Sequence, residues 1–258
     1  MVSSASIAFM AVSALIAFGL PVVLLIAARK KYNAPMVPAL VGALVFVLFV
    51  LVLEQLLHSV VFNVFGLSAK ASPALYVVYA VFAAGIFEET GRFIAFKAMR
   101  KKLNGMETGL AFGIGHGGAE AILLVGLTMI GNIVLSLAVN SGGSSVLGHS
   151  EQIAAALSGL ADAAPVMFLL SGFERVFAIA IQISLSLIVW QSANRPRRIW
   201  LFPAAIALHA LADIPAALAQ VGAIGNMWLT EVLTAALAAL VAAIAVAACR
   251  FRSSCAAG

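Results

Sequence analysis

Residues Ala74 to Met99 read ALYVVYAVFAAGIFEETGRFIAFKAM. A helix rising ~1.5 Å per residue needs about 20 apolar residues to cross ~30 Å of hydrocarbon, and this run has that length. It also carries Glu88, Glu89 and Arg92 in its interior. Two further apolar runs contain similar interruptions, His116-Gly117-Gly118-Ala119-Glu120 and His209-Ala210-Leu211-Ala212-Asp213. A charged side chain at the bilayer centre costs roughly 2.5 to 3.5 kcal/mol on insertion scales. Left unpaired, Glu88, Glu89, Arg92, Glu120 and Asp213 would together cost on the order of 15 kcal/mol, as much as a whole folding free energy. The three strings therefore read as one convergent polar site inside a membrane protein.

Composition sets the same class. Of 258 residues, 64% are hydrophobic and only 10% are charged, with a mean hydropathy of +1.12, which excludes an ordinary soluble domain. The net charge of +5 does not point to nucleic acid, because the bases lie in short clusters beside apolar runs and lack interleaved aromatics. The expected architecture is an all-α polytopic membrane protein, residues 1–258 forming one transmembrane domain. Its seven spans run from Ile7 to Ala28, Val37 to Leu57, Ala74 to Met99, Thr108 to Ala138, Val166 to Trp190, Trp200 to Leu218 and Met227 to Ala248.

Loop charge predicts the orientation. Arg29-Lys30-Lys31, Lys97 with Arg100-Lys101-Lys102, Arg195 with Arg197 and Arg198, and Arg250 with Arg252 all fall on one side of a seven-span arrangement. The positive-inside rule makes that side cytoplasmic, the N-terminus outside and the C-terminus inside. The loop from Asn140 to Pro165 has no Lys or Arg and reads as an outer loop, mobile over Asn140 to Ser150. The first span lacks a basic leader and is followed at once by Arg29-Lys30-Lys31, so it reads as a retained anchor. Cys249 and Cys255 give neither a disulfide framework nor zinc-ligand spacing, and the final Cys-Ala-Ala-Gly is a coincidental match to a prenylation box. The Ala-rich composition without organelle signals suits a bacterial cytoplasmic membrane.

Depth and spacing argue that the polar residues meet. Counted from the basic ends, Glu88, His116, Glu120, His209 and Asp213 all lie roughly 12 to 20 Å deep, in one layer. Helix positions three or four apart share a face, so Glu88 and Glu89 both reach Arg92, His116 sits over Glu120, and His209 sits over Asp213. Glu174 and Arg175, on the fifth span, form a candidate supporting pair further toward the outer side. Gly109, Gly113 and Gly117 form a small-residue ridge that lets another helix approach, narrowing the space around His116. Five acids stand against two permanent cations, Arg92 and Arg175, so some acids must be protonated, paired with histidinium or bound to a metal ion.

The strings resemble those of the CAAX-protease and bacteriocin-processing superfamily of intramembrane proteases, and most closely its YhfC-type membrane peptidases. Glu88-Glu89 with Arg92 resembles the superfamily's Glu-Glu-x3-Arg motif, Phe112 with His116 its Phe-x3-His motif, and His209 with Asp213 its His-x3-Asn motif. Arg92 comes one residue early, and Asp213 stands where Asn is common, which removes a ready amide donor for an oxyanion. The resemblance implies an intramembrane endopeptidase acting on a membrane-embedded or lipidated peptide, with no nucleic-acid partner. In that mechanism Glu88, assisted by His116, polarises a water. Arg92 tunes Glu88 or Glu89, His209 stabilises the oxyanion, Asp213 holds the His209 ring, and Glu120 orients His116 from the next turn.

The preferred reading requires no cofactor. A zinc version would use His116, His209, Glu88 and Asp213 as ligands, although no His-Glu-x2-His string is present. A competing class is a proton- or divalent-cation-coupled transporter built on the same intramembrane residues. Glu54 and His58, near the outer end of the second span, read as interfacial, and His149 as a solvated loop residue. Trp190 and Trp200 read as interfacial anchors, and Asn132, Gln182 and Ser184 as interhelical hydrogen-bonding residues without chemistry.

Overall fold

A computed structural model describes residues 1–142 and 151–250; His149, Arg252 and Cys255 lie outside the described residues. The seven expected spans all form. They are α1 (Ser4–Tyr32), α2 (Met36–Asn63), α3 (Pro73–Met99), α4 (Met106–Asn140), α6 (Pro165–Asn194), α7 (Leu201–Gln220) and α8 (Met227–Arg250), with a short α5 (Glu151–Asp162) between α4 and α6. Their ends follow local chemistry. The Ser3 hydroxyl caps α1 by accepting from the Ser6 N–H, and Arg29, Lys30 and Lys31 sit in its last turn, where the helix dipole favours cations. Proline occupies the first turn of α3 and of α6, where its missing N–H costs no hydrogen bond.

α5 falls in a segment expected to be an outer loop. Leu157 and Leu160 lie three residues apart, on one face, and Leu160 is buried against Met10, Met129 and Phe168, which gives this short helix a face to bury. α2 and α4 each contain a wider π-helical stretch, Phe46–Glu54 and Ala121–Gly126. Each adjoins an acid: Glu54 ends the first, and Glu120 immediately precedes the second.

α6 is the axis of the bundle. Its most apolar stretch is 67% buried, against 17% to 39% for the other spans, and α1, α3, α4, α7 and α8 all pack on it. The outward faces carry large apolar side chains such as Leu15, Val23, Leu40, Leu44, Val78 and Phe82. Lipid tails solvate such a surface, so packing inside the bundle depends on close backbone approach. The glycine ridge provides it. A Cβ at Gly113 would lie 2.6 Å from the Ile183 Cα, and one at Gly117 would lie 2.9 Å from the Gln182 Cβ, so both press α4 against α6. Gly109 meets Trp190 on the same face, which explains why Trp190 is buried rather than interfacial, whereas Trp200 is exposed as expected. On α3, Gly85 brings α7 close: a Cβ there would lie 2.9 Å from the Ile206 carbonyl oxygen and 3.5 Å from the His209 Cβ.

Candidate active site

The close approaches of α4 to α6 and of α7 to α3 bring their polar residues into one buried cluster. Glu89, Arg92 and His116 are fully buried, and Glu88 and His209 nearly so. Within α3, Arg92 reaches back to both acids, 3.3 Å from Glu88 Oε2 and 3.2 Å from Glu89 Oε1, as helical spacing predicts. From α4, His116 Nε2 lies 2.9 Å from the same Glu88 Oε2. Edge-on contact with Phe46 and stacking on Phe112 fix the imidazole, while its buried Nδ1 has no hydrogen-bond partner among the described residues.

α7 contributes His209, whose ring stands between the two α3 acids. Its Nδ1 is 2.6 Å from Glu89 Oε1, and its Nε2 is 3.8 Å from Glu88 Oε1 and 3.5 Å from Asp213 Oδ2. The shortest contact holding the ring therefore comes from Glu89. Asp213, expected to hold the ring, instead approaches the opposite nitrogen. Its side chain is 38% exposed, more open than those of Glu88, Glu89, Arg92, His116, Glu120 and His209.

α6 supplies Gln182, which bonds directly to the site acids as well as between helices. Gln182 donates from Nε2 to Glu88 Oε2 at 3.0 Å and to Glu120 Oε2 at 2.7 Å, and its Oε1 accepts a close hydrogen bond from Arg92. One amide thus ties α3, α4 and α6 together. Glu120 does not orient His116. The guanidinium of Arg175 holds Glu120 Oε1 at 2.8 Å, a charged donor that adds to the Gln182 amide in drawing the carboxylate across to α6. Arg175 also binds Glu174 at 2.7 Å, so the α6 pair joins the network through Glu120. Ser184 hydrogen-bonds a carbonyl of its own helix and takes no part.

The two oxygens of Glu88 differ in consequence. Oε2 receives Arg92, Gln182 and His116, whereas among the described residues no hydrogen bond reaches Oε1. The less encumbered oxygen faces His209 Nε2. Glu54 and His58 also depart from expectation. Glu54 is only 4% exposed, His58 Nε2 pairs with it at 3.3 Å, and His58 Nδ1 lies 2.6 Å from the Tyr79 hydroxyl. Both line a cavity of about 260 Å³ that also reaches Asp213.

Comparison with known proteins identifies relatives of this chain. The family model described as "YhfC intramembrane metalloprotease" matches residues 14–234. This chain belongs to the YhfC intramembrane metalloprotease family. It is also 39% identical over 246 residues to "Uncharacterized membrane protein YhfC" of Bacillus subtilis (strain 168), covering 93% of this chain and 95% of that protein. No solved structure matches. With seven apolar helices and this relative, the chain is a multi-pass membrane protein.

The YhfC family name implies a metal, and the donor types present, imidazole and carboxylate, are those zinc takes. Their arrangement does not form a closed site: among the described residues no three His, Cys, Asp or Glu side chains gather as metal ligands. Ligands at ~2.1 Å around a tetrahedral ion stand roughly 3.4 Å apart. His116 Nε2 lies 2.9 Å from Glu88 Oε2, closer than that spacing, so these two atoms are placed to bond each other rather than to share an ion.

Proposed function

We propose that this chain is an intramembrane endopeptidase that hydrolyses a peptide bond of a membrane-embedded or lipidated substrate with a water activated by Glu88. The observation that carries this reading is the Glu88 carboxylate: Oε2 is fixed by three donors, while Oε1 is directed toward His209 and accepts no hydrogen bond among the described residues. A carboxylate anchored through one oxygen keeps the other positioned for a proton.

Glu88 Oε1 takes a proton from water as the water oxygen bonds to the scissile carbonyl carbon. The charge that develops on the carbonyl oxygen is met by His209. As an imidazolium, His209 donates from Nδ1 to Glu89 and offers its Nε2–H to the oxyanion. Glu88 then passes the proton to the departing amide nitrogen, the carbon–nitrogen bond breaks, and a carboxylic acid and an amine leave. Arg92 holds Glu88 and Glu89 in a fixed relation, and His116 with Gln182 positions Glu88. Asp213, on the open side of His209, faces the space from which water arrives. No step passes through a metal.

The test is cleavage of a pool of transmembrane and lipidated peptides by detergent-purified protein, read by mass spectrometry with and without chelator, alongside metal analysis. Cleavage that survives chelation and disappears in His116→Ala supports the reading. Loss on chelation with stoichiometric metal replaces it with a metal-dependent site. A folded wild type that cleaves nothing but moves protons or divalent cations in proteoliposomes replaces it with a transporter.

A further inference from the structure

Hydrolysis inside a bilayer requires water where the surrounding surface is apolar. The buried core of the cluster, Glu89, Arg92 and His116, has no exposure of its own. Asp213 is different, because its carboxylate opens into the cavity of about 260 Å³ between α2, α3 and α7. The rim of that cavity is formed by Phe62, Tyr76 and Gln220, at or beside the ends of these helices opposite the basic loops; the Tyr76 hydroxyl and Gln220 lie 3.5 Å apart. Its inner wall carries Glu54, His58 and Asp213.

Glu54 gives this wall a second, independent mark. It is only 4% exposed, it ends the π-helical stretch of α2, and its buried Oε2 has no hydrogen-bond partner among the described residues. π-helical turns recur at functional sites, and an unpartnered buried carboxylate oxygen costs free energy unless water or an ion reaches it. His58 bridges Glu54 and the Tyr79 hydroxyl, and Phe62 stacks on His58, so the polar groups form a continuous strip backed by aromatic rings. A cavity with this many polar partners has room for several waters at ~30 Å³ each.

We propose that the cavity bounded by Glu54, His58 and Asp213 is a water-filled channel that connects the site to the membrane face opposite the basic loops. Water enters past Tyr76 and Gln220, is held by Glu54 and His58, and reaches Asp213 beside His209 and the open oxygen of Glu88. Its role as a supply of hydrolytic water rests on the hydrolase reading; its hydration does not.

The two are separated by cysteine accessibility in membranes, in a background carrying Cys249→Ala and Cys255→Ala. Ala80 and Ala84 line the cavity on α3, whereas Phe82 and Ile86, on the same helix at similar depth, are exposed on its lipid-facing side. A charged methanethiosulfonate reacts with thiolate and is excluded from lipid, so Ala80→Cys and Ala84→Cys should label on the order of tenfold or more faster than Phe82→Cys and Ile86→Cys. The reagent should act from the face opposite the basic loops. Equal, slow labelling of all four overturns the channel, whether or not the chain cleaves peptides. Fast labelling of Ala80→Cys and Ala84→Cys in a chain that cleaves nothing leaves the channel standing and removes the hydrolase reading instead. None of the four labelled positions belongs to the polar cluster, so failure of a site variant to fold does not affect the test.

Discussion

His209 Nδ1 lies 2.6 Å from Glu89, whereas Asp213 comes only to 3.5 Å of the opposite ring nitrogen. Glu89 is therefore the acid that orients the ring, and Asp213 the acid that opens into the neighbouring cavity. Glu89→Gln should lower turnover by on the order of 10² to 10³, the range lost when a group that supports oxyanion stabilisation is removed. Asp213→Asn keeps a polar group at the cavity and should cost less. Turnover of the two variants on one peptide substrate checks the ranking, and a larger loss in Asp213→Asn would reverse the assignment.

Gln182 is predicted to matter for stability as well as for activity. Gln182→Ala leaves Glu88 and Glu120 each short of a donor in a buried setting, at about 1 to 3 kcal/mol per group. Detergent-solubilised Gln182→Ala should unfold at a clearly lower temperature than wild type. An unchanged Tm would show that the bridge is dispensable.

The glycine ridge predicts a contrast within one helix. Gly113→Val puts a side chain against the Ile183 backbone and forces α4 away from α6, at about 1 to 3 kcal/mol for overpacking. Because Gln182 lies beside Ile183, the displacement should also reduce activity. Gly131→Val, on the same helix with open space around its Cα, should be neutral. Thermal unfolding and turnover of both variants test the pair.

Orientation is a separate prediction. With the basic loops inside, a phosphatase fused after Arg250 should be inactive and a fluorescent protein fused there should fluoresce. The opposite pattern would place the mouth of the proposed channel in the cytoplasm.

Some of this arrangement could be read directly from the chain, and the reasons for the rest are physical. Length and hydropathy marked all seven spans because a bilayer imposes both on any helix that crosses it. Glu88, Glu89, Arg92, His116 and His209 stood out because charge and imidazole are costly in that setting. Gln182 did not, since a lone amide in an apolar helix reads as ordinary interhelical hydrogen bonding. The available signal was its spacing, seven residues and two turns from Arg175 on the same face. Glu54 was hidden by the π-helical stretch, which breaks the 3.6-residue count by which faces are assigned. The choice of Glu89 over Asp213 as partner to His209 depends on helix-to-helix placement, which spacing within one helix does not encode.

The most direct test of the central claim is single-turnover cleavage of a peptide found to be a substrate, comparing wild type with Glu88→Gln after both are shown to be folded. The amide keeps the shape of the carboxylate but cannot take the proton from water, so the account predicts a loss of 10² to 10⁴ or more in the cleavage rate, with substrate binding retained. Cleavage by Glu88→Gln at a rate near that of wild type would contradict it.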